Sequence, residues 1–492
     1  MSEHITKSPF FVRLFELIIP ITSWAIITLP LWLSFFHPAL VAYLIIAFYF
    51  YFMYKSLMTV YFASLSYKLI LNNQKVRYDK QITKIKKAKD IHHFILIPNY
   101  KEHLKKLEET ITAMTASDYP YKKLYLVLAF EEREIDAEEK AKAIRRKYGA
   151  YFADIMESYH VLGDHEVAGK ASNQAWAGRL VDEYVKRAKI SPDDVVITVC
   201  DADSIMPKNF FAYLTHEYLK DADRRYHFYW APVLLYNNFW QLPLFVRMQA
   251  TLSSILRIAF LSQKDNLIHI STYSMSLWLL KEIDFWDVDI IPEDWHVYFQ
   301  AFFTFGEKVK TIPLYTIVNG DAVYSGGLFK TLINRYEQEK RWAWGVSDIA
   351  YAFKKYFVTP HIRRWPKIKK IIFLIETHLL WPTTFFVLTI FALIPPLINP
   401  VFKRTVLGFL LPRLSSGILT FTTIFLIFYV YLDVKLRKRL GSHTRIRNLP
   451  LLFIQWYFLP LVSFILSAVP ALESHTRIIM GKKLAYKVTE KA

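Results

Sequence analysis

Cysteine is nearly missing from this chain: among 492 residues there is one, Cys200. No intrachain disulfide can form, so nothing bars the aqueous part of the chain from a reducing compartment. Cys200 ends an apolar run, directly before an acidic pair, and has no evident partner, so it reads as a small buried residue rather than a nucleophile. GxGxxG and GxxxxGK[ST] are also missing, which leaves a glycine-cradled phosphate loop without support. Charge is missing from several long stretches. Leu17–Phe36 carries none and is about as long as the 20 residues a membrane-crossing helix needs. A signal peptide would want a shorter apolar core and a small-residue cleavage site.

What is present is uneven. Hydrophobic residues make up 53% and aromatics 17%, yet 21% of residues are charged and these fall in blocks. A chain part embedded in a bilayer and part in water has this composition. The net charge of +19 is spread among the apolar segments rather than gathered on one face, which argues against nucleic acid. It fits cytoplasmic loops that retain Lys and Arg, with a contribution from attracting acidic small molecules.

The apolar run Ala39–Tyr54, continuing to about Tyr67, follows Leu17–Phe36 after a short HPA link, so residues 1–70 predict a transmembrane hairpin. Lys7 and Arg13 before it and Lys68, Lys75 and Arg77 after it place both ends in the cytosol. Leu379–Ile398 and Leu414–Leu432 repeat the pattern within a second membrane block, residues 369–472. The basic run DVKLRKRLGSHTRIRNL that follows predicts the cytosolic side, against which Lys403, Arg404 and Arg413 weigh less strongly. Leu449–Leu472 is uncharged but holds Pro450, Pro460 and Pro470, and a central proline removes a helix hydrogen bond. A re-entrant or broken segment is expected, or a pair of short helices with Glu473–Met480.

Between these blocks, residues 71–320 read as an aqueous domain. Phe94–Pro98 is a short apolar run ending at Asn99-Tyr100-Lys101-Glu102, Leu124–Phe130 ends at Glu131-Glu132, and Val195–Cys200 ends at Asp201-Ala202-Asp203. Helical stretches separate them, with Leu104, Leu107 and Ile111 at helical spacing. Strands alternating with helices predict a mostly parallel sheet, whose ligands sit beyond the carboxyl ends of the strands. Here each of those ends carries acids.

Asp201 and Asp203 can hold magnesium or manganese against a diphosphate, since both ions favour a few carboxylates plus phosphate oxygens. A turn or helix-cap pair before Pro207 is the plainer account of the same triplet. Glu293-Asp294 after Pro292 offers a general base for an acceptor hydroxyl, or merely a solvated helix start. Gln338-Glu339-Lys340-Arg341-Trp342 joins a guanidinium suited to phosphate with a flat face suited to a sugar; an amphipathic helix on a membrane surface would favour the same residues. Residues 321–368 are expected to be such interface helices. Phe239–Gln263 reads as another, with Arg247 and Arg257 snorkelling. Glu376 and His378 sit near an apolar segment, either at its interface or lining a path for a growing polymer.

Taken in order, these stretches resemble the processive membrane-integrated family 2 glycosyltransferases, the cellulose, chitin and hyaluronan synthase group. PNYKE is similar to the family's first-strand motif, GKASNQAW (Gly169–Trp176) to a cellulose synthase stretch with Lys and Asn, and DAD to its DxD. PED is similar to the acidic base motif, QEKRW to Q-x-x-R-W, and Tyr486–Lys491 to the F-x-V-T-x-K gating loop. The resemblance implies an α/β GT-A fold, a Rossmann-like mixed sheet between N- and C-terminal transmembrane helices. It implies a metal-dependent, inverting hexosyltransferase in the cytoplasmic membrane, with its catalytic domain in the cytosol. The donor would be a nucleoside diphosphate sugar of the UDP type and the product a polysaccharide; transfer of one sugar to a lipid carrier is the alternative, and a transporter with a cytosolic domain a remote one. By the same resemblance Asp294, with Glu293, is the base, and Asp201 and Asp203 hold Mg or Mn. Tyr100, Glu102, Glu131, Lys170, Asp201 and Arg341 bind donor, Gln338 and Trp342 bind a saccharide or lipid-linked acceptor, and Thr489 and Lys491 in the tail, residues 473–492, close over the donor. Glu131 departs from the family, which has Asp at that strand end. No nucleic acid partner is implied.

Overall fold

The computed structural model describes residues 8–442 and 448–484. Helices α1 (Pro9–Phe36) and α2 (Pro38–Asn73) form the amino-terminal hairpin, turning at His37. Strands β1 (His92–Pro98) and β2 (Leu124–Glu131) follow, with α3 (Leu104–Thr115) between them; α4 (Ala137–Tyr148) leads to β3 (Asp154–His160), and α5 (Lys170–Arg187) to β4 (Val195–Val199). Next come α6 (Phe210–Lys220), β5 (His227–Trp230), β6 (Val233–Leu234), α7 (Leu244–Leu261), β7 (Tyr273–Ser276), α8 (Glu293–Phe305), β8 (Lys310–Pro313) and β9 (Val318–Asn319). The remaining described elements are helical, chiefly α9 (Leu328–Ala343), α10 (Ser347–Val358), α11 (Arg364–Thr389), α12 (Val406–Arg439) and α13 (Val469–Ile479).

The main sheet has seven strands in the order β3-β2-β1-β4-β7-β5-β8. β1 lies parallel to both β2 and β4, whereas β7 runs antiparallel to β4 and β5. Burial explains three of the first four strands. β1, β2 and β4 are runs such as FILI, LVLA and VVITV, buried along nearly their whole length, as strands covered on both faces must be. The antiparallel β7 makes the sheet mixed and gives a GT-A-like domain. Because β7 runs against β4, the residues just before it, Ser271 and Thr272, lie at the carboxyl edge where Asp201 emerges.

Among the described residues six helices are long and apolar enough to cross a membrane: α1, α2, α7, α11, α12 and the stretch Pro450–Ile479. One departs from the sequence reading. α7 is 61% buried inside the protein and packs along α2, so it is no surface helix. Arg257 is 7% exposed and donates to the Val233 carbonyl at 2.6 Å; it does not snorkel, because a covered helix gives its long side chains no water to reach. Arg247 is half-buried and caps the Leu242 carbonyl at 2.9 Å.

Leu449–Ile479 is one irregular helix whose hydrogen bonding is interrupted where its three prolines fall, with Glu473 and Arg477 confined to its last turns. Short helical turns lead into a π-turn over Phe464–Ala468, and α13 follows. The carboxyl end of the segment, and the end of α12 that precedes it, lie away from the His37 turn. Arg439, shortly before it, donates to Gln74 at 2.5 Å, while Arg13 donates to the carbonyls of Ile478 and Ile479 at 2.6 and 3.0 Å. At the other end of the bundle Asn399 reaches the Ser34 and Phe35 carbonyls, each at 3.4 Å.

Candidate active site

One open cleft lies beyond the carboxyl ends of β1, β2 and β4, lined by Tyr100, Glu102, Glu131, Lys170, Asp201, Asp203, Glu293, Asp294, Gln338, Arg341 and Trp342. Every described residue named from the sequence as a donor, acceptor, base or metal ligand is therefore on its wall. Thr489 and Lys491 lie outside the described residues.

The acids are joined by a cation from the protein itself. The Lys170 ammonium, in the first turn of α5, stands 2.8 Å from Asp201 Oδ1 and 2.8 Å from Glu293 Oε1. Burial alone would lower its pKa, but Asp201 and Glu293 override that and hold it well above the usual lysine range. Gln174 also donates to Glu293, at 3.3 Å. Asp203 accepts the Asp321 N–H at 3.0 Å; Asp321 in turn pairs with Lys106 at 2.7 Å.

Ser271 links the metal-type acids to the base-type acid. Its N–H donates to Asp294 Oδ2 at 3.0 Å, and its hydroxyl donates to Asp201. Its φ of +72° places a non-glycine residue in the left-handed region, a strained conformation of the sort that gathers at functional sites. Asp294 also accepts the Trp295 N–H at 3.0 Å. Burial and the neighbouring Glu293 raise the Asp294 pKa to about 6, against the pull of Lys170 and the two N–H bonds.

At the far corner Glu131 pairs with Arg133, whose guanidinium lies over the Tyr100 ring at 4.4 Å. On the opposite wall a buried guanidinium organises α9. Arg335 donates to Gln249 at 2.7 Å and also to Gln338 and Glu339, and it stacks on Trp342 at 4.8 Å. Sequence reasoning missed Ser271, Arg257, Arg335, Asp321 and the pair Asn99 and Asn173. A non-glycine φ, a buried amide and a buried arginine have no periodic signature, although Asn99 and Asn173 stand inside motifs already quoted.

Residues 196–435 match the family model for glycosyl transferase family group 2. That match supports a family 2 glycosyltransferase. The matched stretch takes in Asp201, Asp203, Glu293, Asp294 and the whole of Gln338–Trp342, together with α7, α11 and most of α12. No curated protein matches this chain. Among solved structures, the mannosyltransferase PcManGT from Pyrobaculum calidifontis in complex with GDP-Man and Mn2+ is 12% identical, with a TM-score of 0.43, over 86% of this chain and 100% of its own. TarS 1–349 of S. aureus in complex with UDP-GlcNAc is 11% identical, with a TM-score of 0.37, over 80% and 93%.

Two carboxylates and a diphosphate suit a hard divalent ion, and Asp201 and Asp203 supply the first part of that set at one loop. Among the described residues no group of three or more His, Cys, Asp or Glu side chains could hold a metal unaided. The donor set thus fits an ion whose remaining ligands come from phosphate and water, and it does not fit an all-protein cage.

Proposed function

We propose that the chain is a membrane-bound inverting glycosyltransferase that takes a sugar from a nucleoside diphosphate, with uridine diphosphate sugars the first donors to test, and builds a polysaccharide. Supporting this most is the convergence of Asp201, Glu293 and Asp294, from two distant stretches of chain, around Ser271 and Lys170, with Asp203 on the same cleft wall. A magnesium or manganese ion held by Asp201, Asp203 and the diphosphate would supply positive charge to the leaving group.

The chain's own residues do the rest. Asp294 accepts the proton of an acceptor hydroxyl while that oxygen bonds to the anomeric carbon from the face opposite the diphosphate. The carbon–oxygen bond to phosphate breaks, and its electron pair leaves with the nucleoside diphosphate. Lys170 and Arg341 meet the growing phosphate charge, as preorganised cations in a cleft do. Tyr100, Glu102 and Glu131 surround the nucleoside, while Gln338 and Trp342 hold the acceptor sugar. The excess of basic residues at the chain ends and loops favours a cytosolic catalytic domain.

Purified protein incubated with a panel of nucleotide-sugars, with magnesium, with manganese and with chelator, tests the reading. Turnover that needs the ion and disappears in Asp294→Asn is expected; turnover unaffected by that substitution overturns it. Product length decides between the two chemistries, since a labelled product carrying one sugar on lipid would replace polymerisation by single transfer.

A further inference from the structure

Two side chains at the β1–β2 corner of the cleft have no part in the chemistry above. Asn99 and Asn173 both donate their Nδ2 hydrogens to one acceptor, the Ala129 carbonyl, at 3.3 and 2.8 Å. Asn99 Nδ2 also reaches the Ile97 carbonyl at 3.3 Å. A carbonyl can only accept, so each amide must turn its NH2 toward it. Flipping either would set two oxygens against each other. The orientation of both Oδ1 atoms is thereby fixed.

Neither Oδ1 has a hydrogen-bond partner among the described residues, although the two asparagines are only 4% and 2% exposed and both line the cleft. Buried acceptors without donors are costly, and a ligand that brings donors relieves that cost. Position narrows the ligand. Ala129 is at the end of β2 and Asp201 follows β4, with β1 between, so two strand spacings of about 5 Å each separate them. A diphosphate anchored at Asp201 and Asp203 carries its pentose toward this corner. The two amides meet at that one carbonyl, so their oxygens belong to one corner of the cleft, and a vicinal diol brings two neighbouring hydroxyl hydrogens to such a pair.

We propose that Asn99 and Asn173 form an acceptor-only edge that receives the 2′- and 3′-hydroxyl hydrogens of a ribose and selects ribonucleoside over deoxyribonucleoside diphosphates. This rests on reading the cleft as a nucleotide-sugar site and adds to it which part of the nucleotide is recognised, and by which atoms. Guanine also presents two adjacent donors, so the test separates sugar from base.

Binding is measured by calorimetry on the full chain in detergent with manganese. The probes are UDP, 2′-deoxy-UDP, 3′-deoxy-UDP, GDP and 2′-deoxy-GDP, against the unaltered protein, Asn173→Ala and Asn99→Ala. Each deoxy analogue should bind about tenfold more weakly than its parent, whichever the base. In Asn173→Ala the gap should close to about twofold or less. Ala129 keeps the Asn99 backbone N–H at 3.0 Å, so that variant leaves no orphaned carbonyl. If one variant fails to fold, the other and the deoxy series on the unaltered protein still decide. Equal affinities for ribo and deoxy forms in a protein that turns over donor overturn the ribose reading and leave the transferase reading standing. A preference for GDP indifferent to the hydroxyls also overturns it, in favour of base recognition. Failure of every nucleoside diphosphate to bind overturns both.

Discussion

Asp294 must be ionised to take a proton, yet burial and Glu293 hold its pKa near 6. The sign follows directly. Below that value the carboxyl is protonated and cannot act as base, so kcat/KM should fall about tenfold per pH unit on the acid side and level off above it. Glu293→Gln removes the like charge, so the acid limb should move to lower pH; a limb that stays put or moves upward contradicts the assignment. Asp294→Asn should cost about 10²–10⁴ in kcat, the usual worth of a positioned base, with nucleoside diphosphate affinity little changed. These acids were legible in the sequence because the chemistry demands carboxylates and they stand at strand ends. Ser271 was not, because its importance lies in a φ of +72° and in a neighbour that an antiparallel strand brings from 70 residues away.

Among the elements, α8 has the firmest anchor. His296, one turn inside the helix that opens with Glu293 and Asp294, lies between Asp287 at 2.9 Å and Asp348 at 2.7 Å. Burial alone would lower its pKa, but the two carboxylates outweigh burial and raise it to about 9. A folded pKa above the unfolded value of about 6.5 means the clamp stabilises fully below that pH. The contribution then fades as pH rises toward 9. On the order of 3 kcal/mol is at stake. The melting temperature in detergent should therefore drop across that window in the unaltered protein, and His296→Gln should flatten the dependence while lowering stability throughout. Equal slopes in the two proteins would refute the clamp. Element types were read well where burial runs the length of a strand, as in β1, β2 and β4. β3 escaped notice: it is an edge strand, DIMESYH, with polar residues alternating through it. α7 was misplaced because an amphipathic pattern shows that a helix has a face to cover without showing what covers the other one.

At the scale of the whole molecule, the irregular carboxyl-terminal segment decides how many times the chain crosses. Arg439 joins Gln74, and Arg13 caps the end of α13, so the end of α12 and the carboxyl end of Leu449–Ile479 both return to the end of the bundle where α1 begins. The π-turn lets the Leu466 carbonyl accept from Gln249 at 2.7 Å, and Gln249 also holds Glu339 at 2.7 Å. The segment is thus tied by buried polar contacts to the helix that carries Gln338 and Trp342. Such contacts survive in an apolar setting only when satisfied. On this ground we propose that α1, α2, α11 and α12 cross and that the last segment enters and leaves on one side. The chain termini should accordingly share a side with the sheet domain, with the His37 turn opposite. Cysteines introduced singly at Ser8, His37 and Lys482, in a Cys200→Ser background, test this with a membrane-impermeant thiol reagent on sealed cells. His37→Cys should label from outside, and the other two only after the membrane is opened. Labelling of Lys482→Cys from outside would mean the last segment crosses fully, and α13 could not then meet Arg13 as it does here.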